Sequence, residues 1–262
     1  MSDVSKVIAV FGAGTGLGVS VARRFGREGF RVALVARRKD RLDALVARLA
    51  DEGVEAAAFP ADLSNPAVAP ALVDAIRDHF GRIDVVEYAP IAGDQSFTPA
   101  TALDAATLEK LSRLFLLTPV EVFRAVLPEM TERGDGALLM TTGYSAVRPM
   151  PHLSGVGPVM SAARNYLHSL NGELADKGVY AGTLSVAAMI TGSEAAEAVE
   201  AGSGPLAGGR HRRDARRRQA HGRRRGRTRR ALLGHVHQAR PRRAGPPRRA
   251  AARLRRMTTG HS

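Results

Sequence analysis

Val7-Ile8-Ala9-Val10-Phe11-Gly12-Ala13-Gly14-Thr15-Gly16-Leu17-Gly18 is the stretch that decides the fold of this chain. Five apolar residues of strand type run into alternating glycines at 12, 14, 16 and 18, and an amphipathic helical pattern (Val19, Val21, Ala22, Phe25) follows. A second apolar run, Phe30 to Val35, completes a strand-helix-strand unit of ordinary length. Glycine lets the backbone turn sharply and leaves no side chain between main-chain amides and a ligand. A helix beginning near Gly16 points its positive dipole end at the same place. The stretch therefore predicts a pyrophosphate site built from Gly12, Gly14, Thr15, Gly16, Leu17 and Gly18.

Working outward, short apolar runs alternate with helical patterns along the first 204 residues. Strands are expected at Val7 to Phe11, Arg31 to Val35, Ala56 to Phe59, Val85 to Tyr88, Ala137 to Thr141 and Tyr180 to Val186. Helices are expected at Gly16 to Glu28, Lys39 to Glu52, Val68 to Phe80, Ala105 to Arg133 with a break around Pro119, and Gly157 to Lys177. Continuous apolar strands alternating with helices imply a parallel sheet covered on both faces. This is a doubly wound α/β arrangement of three layers, of Rossmann type. Ligands of such sheets bind beyond the carboxyl ends of the strands, where the strand order reverses. Gly12, Asp62, Ala89, Thr142 and Thr191 all follow strand ends, so one cleft should collect them.

Composition narrows the classes further. The 262 residues suit one domain, and with no cysteine the chain has neither disulfides nor thiolate metal sites. Histidines and carboxylates of residues 1–204 form no recognisable ligand spacing, so no metal is expected. No apolar run reaches the ~18 residues of a membrane span, and Met1 to Lys6 offers no secretory leader pattern. The expectation is a cytoplasmic protein without a membrane partner.

The formal charge of +14 is confined to one end. Residues 205–262 hold twenty arginines, no lysine and a single acid, Asp214, which leaves residues 1–204 at −5. The boundary divides a nucleotide-binding domain, 1–204, from an arginine-rich low-complexity tail, 205–262. The tail is nearly all Arg, Ala, Gly, Pro and His, too poor in apolar residues to offset chain entropy, so disorder is expected. Three origins fit it: a basic arm for anionic partners, GC-rich coding DNA read in a shifted frame, or a solvated extension without a role. The missing lysine argues against a nucleic-acid arm and favours the shifted frame.

Over about residues 5 to 195 the chain resembles the short-chain dehydrogenase/reductase family. The resemblance rests on the spacing of Gly12, Gly16 and Gly18, on Asp62-Leu63, on Gly81-Arg82-Ile83-Asp84-Val85 and on Leu127-Pro128-Glu129-Met130. It implies an oxidoreductase that binds NAD(P), with Asp62 and Leu63 beside the adenine, Ala89 after the fourth strand, and Thr191 near the nicotinamide carboxamide. It also implies a homodimer through the long helices Ala105 to Arg133 and Gly157 to Lys177. Charge selects the cofactor: a carboxylate at the end of the second strand would repel a 2′-phosphate, and this chain instead has Arg37 and Arg38. NADP(H) is preferred over NAD(H).

The catalytic positions depart from the family. Its reaction uses a tyrosine, a lysine four residues on, a serine and an asparagine. Alignment puts Val156, Met160, Gly143 and Phe115 there, and no Tyr-x-x-x-Lys occurs anywhere in the sequence. Thr142 and Tyr144 are the substitute candidates for proton handling, with Thr141, Ser145 and His152 nearby at the expected cleft mouth. Two functions stay open: an oxidoreductase on a carbonyl or alcohol with a degenerate catalytic set, and a catalytically silent NADP(H)-binding sensor or scaffold.

Overall fold

Strands β1 (Val7–Phe11), β2 (Arg31–Ala36), β3 (Ala56–Pro60), β4 (Val85–Tyr88), β5 (Gly136–Gly143) and β6 (Val179–Val186) form one sheet in the computed structural model, which describes residues 5–91, 97–187 and 190. Thr191 and the tail 205–262 lie outside the described residues. The order is β3-β2-β1-β4-β5-β6 and every pair is parallel. From β1 the chain builds outward to β2 and β3, then returns to place β4 on the other side of β1. The reversal opens a crevice at the carboxyl ends of β1 and β4.

Side-chain alternation divides the core between two faces. Val7, Ala9 and Phe11 of β1 pack with α3 (Ala69–Phe80), α5 (Thr118–Arg133) and α6 (Val156–Glu173). Ile8 and Val10 pack on the opposite face with α1 (Leu17–Arg27) and α2 (Lys39–Asp51). All five β1 residues are buried, which is why this strand reads as an unbroken apolar run. The Rossmann-type doubly wound sheet of three layers is thus the observed fold.

Asp84 pins the amino ends of the strands. Its carboxylate accepts the Val7 amide at 2.8 Å and pairs with the Arg82 and Arg133 guanidiniums. Next to it, Glu129 accepts the Ile83 amide at 2.9 Å and an Arg77 N–H at 2.7 Å, fastening α5 to α3 and to the start of β4.

The long helical pattern Ala105 to Arg133 is continuous rather than broken at Pro119. It comprises α4 (Ala105–Ser112), one π-helical turn over Arg113–Leu117, and α5. Asp104 caps α4 by accepting the Thr107 amide at 2.8 Å. The wider turn lets the helix pass Pro119, whose missing N–H would leave an ordinary helix one bond short. The last helix, α6, begins at Val156 and stops at Glu173, four residues before Lys177, and turns lead from there into β6.

Candidate functional site

The crevice wall nearest β1 is the glycine turn itself. Gly12 has φ +91°, and a β-carbon there would sit 2.5 Å from the Pro90 backbone, so only glycine lets this turn close against the segment after β4. The Gly12 and Ala13 amides both donate to the Val35 carbonyl, at 2.8 and 2.9 Å, which ties the turn to the end of β2. At Gly18 a β-carbon would lie 2.8 Å from the Ala13 backbone, so the first turn of α1 rests directly on the strand end. No side chain caps α1: Gly16 holds the N-cap position, the Val19 amide donates to the Gly14 carbonyl at 3.0 Å, and the Leu17 and Gly18 amides lie ahead of it in the first turn. A side chain at Gly14 would meet only the Gly12 carbonyl, at 3.9 Å, and would otherwise fill open space in front of the turn. This uncapped, glycine-lined cradle fits a dinucleotide's pyrophosphate.

The other expected binding residues border the same carboxyl edge of the sheet. Arg37 and Arg38 follow β2 and are exposed. Asp62 is exposed after β3, and its Oδ1 accepts from the amide and hydroxyl of Ser64 at 3.0 and 2.9 Å. Leu63 is buried beneath it. Ala89 follows β4 and donates its amide to the Phe11 carbonyl at 2.9 Å, one residue before the glycine turn. Leu17 is half-buried in the first turn of α1, and Thr15 is exposed at the tip of the loop. Thr191 is outside the described residues.

At the end of β5 the hydroxyls are already engaged. Thr141 and Thr142 point to opposite faces of the sheet, as successive strand residues must. The Thr141 hydroxyl donates to Glu87 Oε1 at 3.0 Å, and the buried Thr142 hydroxyl shares a 2.9 Å hydrogen bond with Ser185 of β6. Ser145 is buried, whereas Tyr144 is 38% exposed in the short 3-10 turn Tyr144–Ala146. His152 is exposed on the following loop, with φ +66°. Phe115, Val156 and Met160 meet in one apolar cluster with Leu111, Ala146 and Val159. The Gly143 amide closes that cluster by donating to Met160 Sδ at 3.3 Å.

Sequence reasoning passed over Glu87, an acid inside the apolar run Val85-Val86-Glu87-Tyr88. The signal was its polarity at a position surrounded by strand formers. Burial raises its carboxyl to about 7, and the Thr141 hydroxyl offsets only part of that. Its Oε2 is buried without a hydrogen-bond partner among the described residues.

The short chain dehydrogenase family matches residues 6–201. The chain belongs to the short-chain dehydrogenase/reductase family of oxidoreductases. An oxidoreductase of Sarocladium schorii is 31% identical over 189 residues, covering 71% of this chain and 73% of that protein. Among solved structures, the L-sorbose reductase of Gluconobacter frateurii complexed with NADPH and L-sorbose is similar, with a TM-score of 0.64 and 25% identity over 69% of this chain and 68% of that one. A metagenomic short-chain oxidoreductase in complex with NADP gives a TM-score of 0.65 and 25% identity over 72% and 85%.

Phe115, Val156 and Met160 are packed in one apolar cluster. Gly143 meets Met160 through its amide. A thioether and two hydrocarbon side chains neither hold nor pass a proton at neutral pH. Among the described residues no group of three or more His, Asp or Glu is placed to hold a metal, and no helix is long and apolar enough to cross a membrane.

Proposed function

We propose that this family member binds NADP(H) across the carboxyl ends of β1 and β4 and lacks the proton relay of the family's tyrosine and lysine. Gly12, Gly14, Thr15, Gly16, Leu17 and Gly18 would hold the pyrophosphate. Arg37 and Arg38 would take the 2′-phosphate, Asp62 and Leu63 the adenine, and Ala89 and Thr191 would lie along the remaining length. The bound dinucleotide would supply a hydride. The observation that carries the reading is the packing of Phe115, Val156 and Met160 in one apolar cluster closed by the Gly143 amide, where the resemblance would place an acid and its cation. A site of this kind binds the dinucleotide and leaves a carbonyl substrate without its usual proton donor, which fits a sensor or scaffold.

The second reading is an oxidoreductase in which Tyr144 handles the proton. It is favoured by the exposure of that phenol one residue beyond the Gly143 amide, while the Thr142 hydroxyl is already paired with Ser185. Following NADPH absorbance over a panel of ketones and aldehydes separates the two. Turnover that Tyr144→Phe abolishes supports the second reading, and tight NADPH binding without absorbance change supports the first. We further propose a homodimer through α4, α5 and α6. A monomeric mass in sedimentation equilibrium at micromolar concentration would count against it.

A further inference from the structure

The π turn is tied to both walls of the crevice, by the Tyr88 side chain on one and by the Leu63 carbonyl on the other. The Thr118 amide reaches back five residues to the Arg113 carbonyl, so the Leu114 carbonyl loses the donor it would have in an α-helix. The next position is Pro119, which has no N–H to offer. Tyr88 supplies the missing donor, its phenol lying 2.6 Å from the Leu114 oxygen. The ring is fully buried, stacked on Phe11 at 6.0 Å and set edge-on to Phe123 at 6.5 Å. Burial pushes this phenol far above its ordinary range, so it remains a donor at every physiological pH. The Thr118 hydroxyl lies 2.8 Å from the Leu63 carbonyl and 2.9 Å from the Arg113 carbonyl.

Both tethers end beside the proposed cofactor. Tyr88 is followed by Ala89, bonded to Phe11, and by Pro90, the backbone against which Gly12 closes. Leu63 follows Asp62. We propose that Tyr88 and Thr118 are positioning residues: through the π turn they fix the separation of the glycine wall from the Asp62 wall. Neither touches the dinucleotide. Thr118 acts on the adenine side through Leu63, Tyr88 acts on the glycine side through Ala89 and Pro90, and the Thr118 hydroxyl also meets the Tyr88 phenol, which joins the two tethers. The inference rests on the NADP(H) reading and assigns it two residues that act only through main chain.

The test uses the full chain with Tyr88→Phe and Thr118→Val, which keep the ring and the branched shape and remove only the hydroxyl. NADPH and 2′,5′-ADP are titrated calorimetrically at a temperature where circular dichroism gives each variant the parent's fold. Thr118→Val should weaken both ligands about 5- to 10-fold, the loss expected of one hydrogen bond, and Thr118→Ser should restore them. Tyr88→Phe should weaken NADPH by a similar factor and 2′,5′-ADP as well, because the 5′-phosphate of each would lie on the same glycine turn. A second measurement needs no variant: NADPH should slow amide exchange in the π turn of the parent chain as well as in the glycine turn. Variant isotherms that superimpose on the parent's, or an NADPH-bound parent whose π turn exchanges at the free rate, overturn the proposal. A parent that binds neither ligand removes the NADP(H) reading itself, and the positioning role with it.

Discussion

Glu87 is a carboxyl that the fold tolerates better with its proton on. Folding buries it on β4, where the Thr141 hydroxyl serves one oxygen and Oε2 has no partner among the described residues. Burial moves its pKa from 4.5 to about 7. The unfolded chain releases this proton near the lower value and the folded chain near the higher, so between them the folded state binds more protons. Stability should therefore fall as pH rises from about 4.5 to about 7 and stay level above, by an amount on the order of 3 kcal/mol. Carboxylates held below their ordinary range by a partner, such as Asp135 with Lys6, act in the opposite sense, losing stabilisation only as pH falls below the usual carboxylate range. Urea unfolding between pH 5 and 8 checks this. Glu87→Gln should flatten the profile and raise the midpoint at pH 8, and a parent midpoint that climbs from pH 5 to 7 would rule the argument out. Gly12 is the second decisive residue. Gly12→Ala should abolish the NADPH-induced rise in melting temperature, because its β-carbon collides with Pro90 backbone that cannot swing aside.

Between elements, the strongest ties are at the amino ends of the strands. Asp84 is buried and serves the Val7 amide of β1 and two arginines, one of them Arg133 at the end of α5. Asp84→Ala leaves those partners without their acceptor and should cost about 3–5 kcal/mol in chemical unfolding. Lys6→Ala, which removes the exposed Lys6–Asp135 pair, should cost no more than about 1 kcal/mol. A smaller loss at Asp84 than at Lys6 would show that the burial argument has the wrong sign. The elements themselves were legible wherever a local pattern decides them. The strands of β1 and β2 carry unbroken apolar runs because both faces are covered, and the glycine turn announces the first crossover. The π turn was not legible, because it depends on donors and acceptors far away in sequence, Tyr88 and the Leu63 carbonyl; Pro119 marks only its neighbourhood. The partners of the threonine hydroxyls were not legible for a related reason. Thr141 and Thr142 were expected at the cleft mouth, and the pleat sends one to Glu87 while the strand register brings the other opposite Ser185.

Charge across the molecule bears on which dinucleotide it takes. Residues 1–204 are net acidic and the arginines of 205–262 bring the whole chain to +14, so the local placement of Arg37 and Arg38 is what separates a preference for the more highly charged NADP(H) from general attraction. Arg37 and Arg38 stand at the carboxyl end of β2, the strand whose Val35 carbonyl also anchors the glycine turn through the Gly12 and Ala13 amides. A phosphate on the ribose would meet these two guanidiniums while its pyrophosphate lay on the uncapped start of α1, so both anionic groups would be matched at one edge of the sheet. NADH lacks the first match and keeps the second. The melting temperature of the full chain should therefore rise with either coenzyme, and rise at lower concentration with NADPH. At a hundredfold excess over Kd, either ligand should add about 2.7 kcal/mol of stability. Removing both guanidiniums with Arg37→Ala and Arg38→Ala should weaken NADPH roughly tenfold or more and leave NADH nearly unchanged, because a charge-assisted pair is lost from one ligand only. Equal weakening of both coenzymes would mean that the arginines support the β2 turn and do not read the phosphate. In that case selectivity would have to reside elsewhere along the crevice.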